Sequence, residues 1–100
     1  MKSTYKLIWS EEARDNLSGI IDYLEDNWSE KEISQFLKKL NHQLDLIRHN
    51  PKLFPKVNRK GVRKSVLSKQ VSIFYKSNRK EINILFIFDT RQNPDKLVFY

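Results

Sequence analysis

Two apolar runs separated by a short polar break constrain the fold of this chain more than any other feature. The runs span Val71–Tyr75 and Ile82–Phe88, and the break falls at Ser77–Lys80. Valine, isoleucine, phenylalanine and tyrosine dominate both runs, and these residue types favour packed, pleated strands. The sequence therefore predicts a β-hairpin whose second strand, apolar on both faces, lies at the centre of a sheet.

Because side chains alternate along a strand, each residue of the hairpin can be assigned to a face. In the first strand, one face is expected to carry Val71, Ile73 and Tyr75. In the second strand, the alternation predicts one face with Leu85 and Ile87 and an opposite face with Ile82, Ile84, Phe86 and Phe88.

One strand and two helices are predicted before the hairpin. Tyr5, Leu7 and Trp9 alternate with polar and apolar neighbours, which indicates a short first strand. Ser10 can cap a first helix, in which apolar residues recur every three to four positions until about Trp28. A capping box from Ser29 to Glu32 begins a second helix, and the Asn-Pro pair at residues 50–51 ends it.

The segment between the helices and the hairpin is predicted to be a loop followed by a strand. Prolines and a glycine mark a loop over Pro51–Gly61, and Val62–Leu67 reads as a strand. Leu97–Tyr100 is an apolar tail, expected either as a small edge strand or as a segment packed in the core. The order β-α-α-β-β-β predicts an α+β fold, in which a mainly antiparallel sheet packs against a two-helix hairpin. One hundred residues are expected to form a single domain over residues 1–100.

Several protein classes are excluded by composition. The chain has no cysteine, so disulfides and Cys-ligated metal sites are not expected. No apolar stretch is long enough for a membrane span, and the N-terminal residues carry no secretion signal. These features predict a cytoplasmic protein without a membrane partner.

Positive charge is concentrated in the second half of the chain. Residues 1–50 contain 7 Lys and Arg against 9 Asp and Glu, whereas residues 51–100 contain 12 against 3. Ten basic residues and no acidic one lie between Lys52 and Lys80. This asymmetry favours an anionic partner, either nucleic acid or an acidic protein segment, over a basic surface with no specific target.

The sequence contains no established catalytic motif. A phosphate-binding glycine loop, a metal-binding histidine pair and a nucleophile motif are all absent, and His42 and His49 have no suitably spaced partner. We therefore expect no cofactor and no metal.

Arg, Lys and Tyr side chains could still act on a phosphodiester, because cations stabilise developing phosphate charge and a tyrosine can transfer protons. If the chain is a nuclease, the catalytic candidates are Arg63, Arg91, Lys64 and Tyr75. The candidates for nucleic-acid or target binding are Lys56, Arg59, Lys60, Arg63, Lys64 and Arg91. The two arginines of the first set could meet at one rim of the sheet. Alternatively, they are solvated or paired with an aspartate, and the tyrosine is a core aromatic.

Nearly the whole chain resembles the RelE/ParE family of type II toxin–antitoxin toxins. The resemblance is carried by YKLIWSEEARDNLSGIIDYL, FLKKLNHQLDLIRHNPKLFPKV, GVRKSVLSKQVSIFYK and INILFIFDTRQNP. The first half, with Ala13, Leu17, Ile21 and Tyr23-Leu24, is similar to the ParE-like branch in particular.

This resemblance implies a growth-arresting toxin that a cognate antitoxin neutralises by wrapping its C-terminal segment around it. RelE-like members cleave mRNA on the ribosome with Lys, Arg and Tyr residues, whereas ParE-like members poison DNA gyrase. Arg63 looks like the strand arginine of the family and Arg91 like the arginine after its last long strand. Asp89-Thr90 stands where some RNase members carry a histidine.

This departure, together with the position of Tyr100, which lies further from Arg91 than the RNase pattern suggests, favours ParE-like poisoning of gyrase over a ribosome-dependent mRNA endoribonuclease. A third possibility is a non-toxic basic module that acts only with its antitoxin, in DNA-bound autoregulation.

Overall fold

Four strands and two helices are present in residues 5–90, the part of the chain that the computed structural model describes. In chain order they are β1 (Lys6–Trp9), α1 (Glu11–Asn27), α2 (Glu30–His49), β2 (Arg63–Val66), β3 (Val71–Ser77) and β4 (Glu81–Asp89). The strands form one sheet in the order β1-β4-β3-β2. The predicted α+β order and the central position of the second hairpin strand are confirmed.

The sheet is mixed, because β1 runs parallel to β4 while the other neighbours are antiparallel. A parallel neighbour requires a crossover connection, and the two helices between β1 and the hairpin provide it. A mainly antiparallel sheet was predicted, and this single parallel pair is its exception.

Both helices begin at the caps that the sequence predicts. The Ser10 hydroxyl accepts a hydrogen bond from Ala13 N at 2.9 Å and donates one to Leu85 O at 2.6 Å. Ser29 and Glu32 form the predicted capping box at the start of α2. Caps of this kind satisfy backbone donors that the first helical turn leaves unpaired.

Beyond the end of β1, side chains of α1 and of its N-terminal cap form hydrogen bonds with the backbone of β4. β1 pairs with β4 only as far as Trp9 and Ile84. Beyond that point, Leu85 O accepts from the Ser10 hydroxyl, and Ile87 N donates to Asn16 Oδ1 at 2.9 Å. Side chains of the cap and of α1 thus complete hydrogen bonds that a longer edge strand would otherwise supply.

A β-bulge in β4 overturns part of the predicted face assignment. Phe74 pairs with Phe86 whereas the next residue, Tyr75, pairs with Ile84, so Leu85 is one residue too many for β3. After this extra residue, Ile87 packs in the main core with Ile84, and Phe86 packs on the opposite face. The prediction that Phe86 and Phe88 share a face with Ile82 and Ile84 was therefore wrong, because a one-residue insertion reverses every side chain beyond it.

The two faces of the sheet carry separate apolar clusters. The main core lies between the sheet and the helices and contains the predicted inward face of β3, with Ile73 and Tyr75 fully buried. The second cluster lies on the other face and is built from Val57, Val62, Phe74, Leu85, Phe86 and Phe88. In this second cluster, Phe74 and Phe86 stack with their ring centroids 4.5 Å apart. Neither helix is long and apolar enough to cross a membrane, within the residues described.

Candidate functional site

The basic segment between α2 and β2 is more ordered than the predicted irregular loop. Val57 N donates to Val62 O at 2.8 Å, Lys64 N donates to Pro55 O at 3.1 Å, and Lys56 pairs with Arg63 in an isolated antiparallel bridge. These contacts form a small ladder along the outer edge of β2. We call residues 52–62 the cationic loop.

An asparagine and a glycine shape the tip of the cationic loop. Asn58 Oδ1 accepts hydrogen bonds from Lys60 N at 2.9 Å and Val62 N at 3.2 Å. Gly61 has a φ of +91°, a conformation that side chains disfavour. The turn leaves Arg59 and Lys60 exposed at the tip.

The side chains of Arg63 and Tyr75 form hydrogen bonds with the backbone at the start of this loop. The two residues are direct partners in the β2–β3 ladder. Arg63 Nη1 donates to Phe54 O at 2.6 Å and to Lys52 O at 3.4 Å, and the Tyr75 hydroxyl donates to Pro51 O at 2.7 Å. Three carbonyls of one loop segment are therefore fixed by two neighbouring side chains.

The environment of Tyr75 keeps its hydroxyl protonated. The side chain is fully buried, and this desolvation raises the pKa of Tyr75 to about 12, although the nearby positive charge of Arg63 acts in the opposite direction. A phenol of this kind is a hydrogen-bond donor to its carbonyl partner at neutral pH.

The predicted site residues fall into three groups. Lys56, Arg59 and Lys60 lie exposed on the cationic loop, and Arg63 and Tyr75 lie at its base. Lys64 points to the other face of the sheet, where its Nζ lies 5.9 Å from the centroid of the Phe74 ring. Arg91 and the Leu97–Tyr100 tail lie outside the described residues, so the expected meeting of Arg63 and Arg91 stays a prediction.

Two further lysines lie on this surface, and the list of candidate residues omitted both. Lys52 opens the cationic loop and is exposed. Lys76 approaches the loop tip, with its Cε 3.8 Å from the position that a Cβ on Gly61 would take. The basic run had indicated Lys52, but only the strand pairing brings Lys76 to the same surface.

Within residues 5–90, little of this positive charge is neutralised by ion pairs. Across residues 5–90, the ion pair between Arg48 and Asp45, at 3.9 Å, is the one that forms. No basic residue from Lys52 to Lys80 pairs with a carboxylate in this part of the chain. The same residues contain no cluster of three metal-ligating side chains. The surface is therefore suited to binding an anionic macromolecule by charge.

The comparisons with known proteins identify the family. The family model for the ParE toxin of the type II toxin–antitoxin system parDE matches residues 7–94. No curated protein matches the chain significantly.

Solved structures of toxins share the fold. The chromosomal ParDE toxin–antitoxin system of P. aeruginosa contains a chain with a TM-score of 0.71 and 20% identity, covering 85% of this chain and 95% of that one. The E. coli DinJ-YafQ toxin–antitoxin complex matches with a TM-score of 0.62 and 12% identity over 96% and 98% of the two chains. The YoeB dimer from Staphylococcus aureus matches with a TM-score of 0.59 and 20% identity over 84% and 94%.

These similarities agree with the resemblance seen in the sequence, and the family match spans most of the chain. The protein described here belongs to the ParE family of type II toxin–antitoxin toxins.

Proposed function

We propose that this toxin arrests growth in the cytoplasm by binding and poisoning DNA gyrase, as the ParE-like resemblance implies, rather than by cutting mRNA. The observation that carries this proposal is the hydrogen bond from the Tyr75 hydroxyl to Pro51 O, at 2.7 Å in the buried base of the cationic loop. A general base must reach the proton that it removes and must lose its own proton near neutral pH. The Tyr75 hydroxyl is held by Pro51 O, and its pKa is raised to about 12, so Tyr75 is poorly suited to both requirements of a general base.

The contacts of Arg63 also favour gyrase poisoning over mRNA cleavage. Its Nη1 donates a hydrogen bond to Phe54 O at 2.6 Å. The guanidinium therefore stabilises the loop and is not positioned to bind a phosphate. The exposed charges that remain on the loop, Lys52, Lys56, Arg59 and Lys60, can contact a target without taking part in chemistry.

We further propose that a cognate antitoxin covers the cationic loop. The solved relatives include toxin–antitoxin complexes, among them the ParDE system and DinJ-YafQ. The loop has no ion pair within residues 5–90, which favours an acidic antitoxin segment that folds on binding.

The runner-up function is a ribosome-dependent mRNA endoribonuclease. It is favoured by Lys64, which lies on the face opposite the helices above the stacked pair Phe74 and Phe86. Cations beside aromatic rings suit single-stranded nucleic acid. Arg91 would have to complete a catalytic set there.

Induction in a bacterial host with two readouts tests both functions. We expect a DNA-damage response and a loss of plasmid supercoiling, with mRNA left intact. Cuts in mRNA that are phased to the ribosome, with supercoiling unchanged, would contradict the gyrase proposal. Continued growth with neither effect would point instead to the non-toxic binding module.

A further inference from the structure

The tripeptide Asn-Arg-Lys occurs twice in the chain, at residues 58–60 and at residues 78–80. In each copy, the asparagine Oδ1 accepts a hydrogen bond from the lysine N two residues on, at 2.9 Å in the first and 3.0 Å in the second. Asparagine favours turns because its side chain bonds to the backbone in this way. We call the two segments the first turn and the second turn, and each presents an exposed Arg-Lys pair.

The strand pairing places both turns at the same end of the sheet. The first turn leads into β2, and the second turn joins β3 to β4. Arg63 pairs with Tyr75 in the antiparallel β2–β3 ladder. Arg59 lies four residues before this pair in the chain, and Arg79 lies four residues after it. The two arginines are therefore carried to the same level beyond the paired residues.

About two strand spacings separate the turns across the sheet. The first turn lies between β2 and residues 55–57, which pair along the outer edge of β2, and the second turn lies between β3 and β4. Neighbouring strands are roughly 4.8 Å apart, so the centres of the turns lie about 10 Å apart. Because the sheet and the asparagine bonds hold both turns, this separation does not have to be established on binding.

The surroundings of the turns are also mainly cationic. The exposed Lys76 approaches the first turn, and Lys6 N donates to Lys80 O at 3.0 Å, which places the start of β1 beside the second turn. β2, β3 and both turns contain no acidic residue. Glu81 follows the second turn and is the partner of Lys6 in the β1–β4 register. Within residues 5–90, no cation of either turn forms an ion pair.

We propose that the two turns together bind the phosphate backbone of duplex DNA, which gives the toxin an affinity for DNA of its own. A separation of about 10 Å lies between the widths of the minor and major grooves, roughly 6 and 12 Å. The long side chains of Arg and Lys can therefore reach the two backbones that flank one groove.

A duplex suits this surface better than a single strand does. A duplex holds its two rows of phosphates at a fixed spacing, as the sheet holds the two turns. A single strand offers no such spacing and is usually bound by stacking of its bases on aromatic side chains. Neither turn contains an aromatic residue. Contacts with phosphates alone carry no sequence information, so the binding is expected to be independent of sequence.

This inference deepens the proposed function and rests on it for the choice of DNA over RNA. Gyrase acts on DNA, so a toxin that also holds the duplex would be retained at the complex of gyrase with DNA. The inference adds Arg79 and Lys80, which lie outside the cationic loop, to the residues that act there.

A salt titration with the purified full-length chain and no gyrase tests the proposal. Fluorescence anisotropy measures binding to a short labelled duplex of arbitrary sequence. Each phosphate contact contributes about −0.9 to the slope of log Kobs against log salt, so the four cations of the turns predict a slope of about −3 to −4. Removing either pair, by Arg59→Ala with Lys60→Ala or by Arg79→Ala with Lys80→Ala, should reduce the magnitude of the slope by about 2.

The matched control removes two exposed cations from α2, by Lys31→Ala with Lys38→Ala, and should leave the slope unchanged. All six positions are exposed, so these variants are expected to fold. Three results would overturn the proposal: no saturable binding of the wild type at low salt, a second-turn variant that behaves like the control, or tighter binding to single-stranded RNA of the same length.

The assay also separates this inference from the proposed function. Inhibition of gyrase by a toxin that does not bind DNA would remove the inference alone. Salt-dependent binding to DNA, lost in both turn variants, by a toxin that does not inhibit gyrase would remove the proposed function and leave the DNA-binding surface in place.

Discussion

Arg63 and Tyr75 face each other across the β2–β3 ladder, and both side chains end on backbone carbonyls of the segment that follows α2. Arg63 donates to Phe54 O and Tyr75 donates to Pro51 O, so these two side chains fix the geometry of a loop. This pair thereby helps to position the exposed lysines and arginine of that loop.

The hydroxyl of Tyr75 is predicted to stabilise the fold. Tyr75→Phe removes the donor and leaves the carbonyl of the buried Pro51 without its partner, which should cost about 1–3 kcal/mol in the free energy of unfolding. Urea denaturation followed by fluorescence measures this loss. Tyr5→Phe is the control, because Tyr5 OH has no hydrogen-bond partner within residues 5–90, and a loss as large for this variant would argue against the role assigned to Tyr75.

Stability should fall in alkaline solution because of the same residue. Burial raises the pKa of Tyr75 to about 12, from an ordinary value near 10 that applies in the unfolded chain. The stabilisation is therefore complete below pH 10 and is lost as pH rises towards 12, since only the unfolded state releases the proton in that window. Unfolding curves at increasing pH should show this decline in the wild type and a weaker one in Tyr75→Phe; parallel declines would contradict it.

The β-bulge predicts unequal effects at neighbouring positions of β4. Ile87 is 4% exposed in the main core, so Ile87→Ala should reduce the free energy of unfolding by about 2–4 kcal/mol. Leu85, the extra residue, is half-buried on the other face, and Leu85→Ala should cost less. Thermal denaturation of the two variants compares them directly. Similar losses for the two variants would mean that the strand alternates without interruption, because Leu85 and Ile87 would then share one face.

Ser10 is predicted to contribute more than an ordinary helix cap. Ser10→Ala removes both the bond from Ala13 N and the bond to Leu85 O, and we expect a loss of about 2 kcal/mol. Ser29→Ala removes only the exposed cap of α2 and should cost about 1 kcal/mol. Chemical denaturation of both variants measures the difference, and equal losses would show that the link to β4 adds nothing.

Much of the fold could be predicted because its signals are local. Ser10 and the capping box at Ser29 mark both helix starts, and the alternation in residues 71–75 assigns the faces of β3 correctly. The bulge at Leu85 could not be predicted, because it depends on how Phe86 pairs with Phe74 in another strand. The hydrophobicity pattern of a single strand does not reveal whether one of its residues forms a bulge.

The charge run pointed to Lys56, Arg59 and Lys60 as candidates for target binding, and all three are exposed in the structure. Their part in binding stays a prediction. The role of Arg63 could not be read from the sequence, because its partner is a backbone carbonyl at Phe54, and every residue type offers one. Contacts of a side chain with a distant main chain leave no pattern in the sequence.

The cationic loop is the proposed surface for target recognition, and a gyrase supercoiling assay with purified protein tests this proposal most directly. The wild type should inhibit supercoiling, and the loop variant with Arg59→Glu and Lys60→Glu should need at least about ten times more protein, since rim charges set the strength and rate of encounter. The control variant with Lys31→Glu and Lys38→Glu changes the net charge equally on exposed positions of α2 and should inhibit like the wild type. A loop variant as potent as the wild type would contradict the proposed role of the cationic loop.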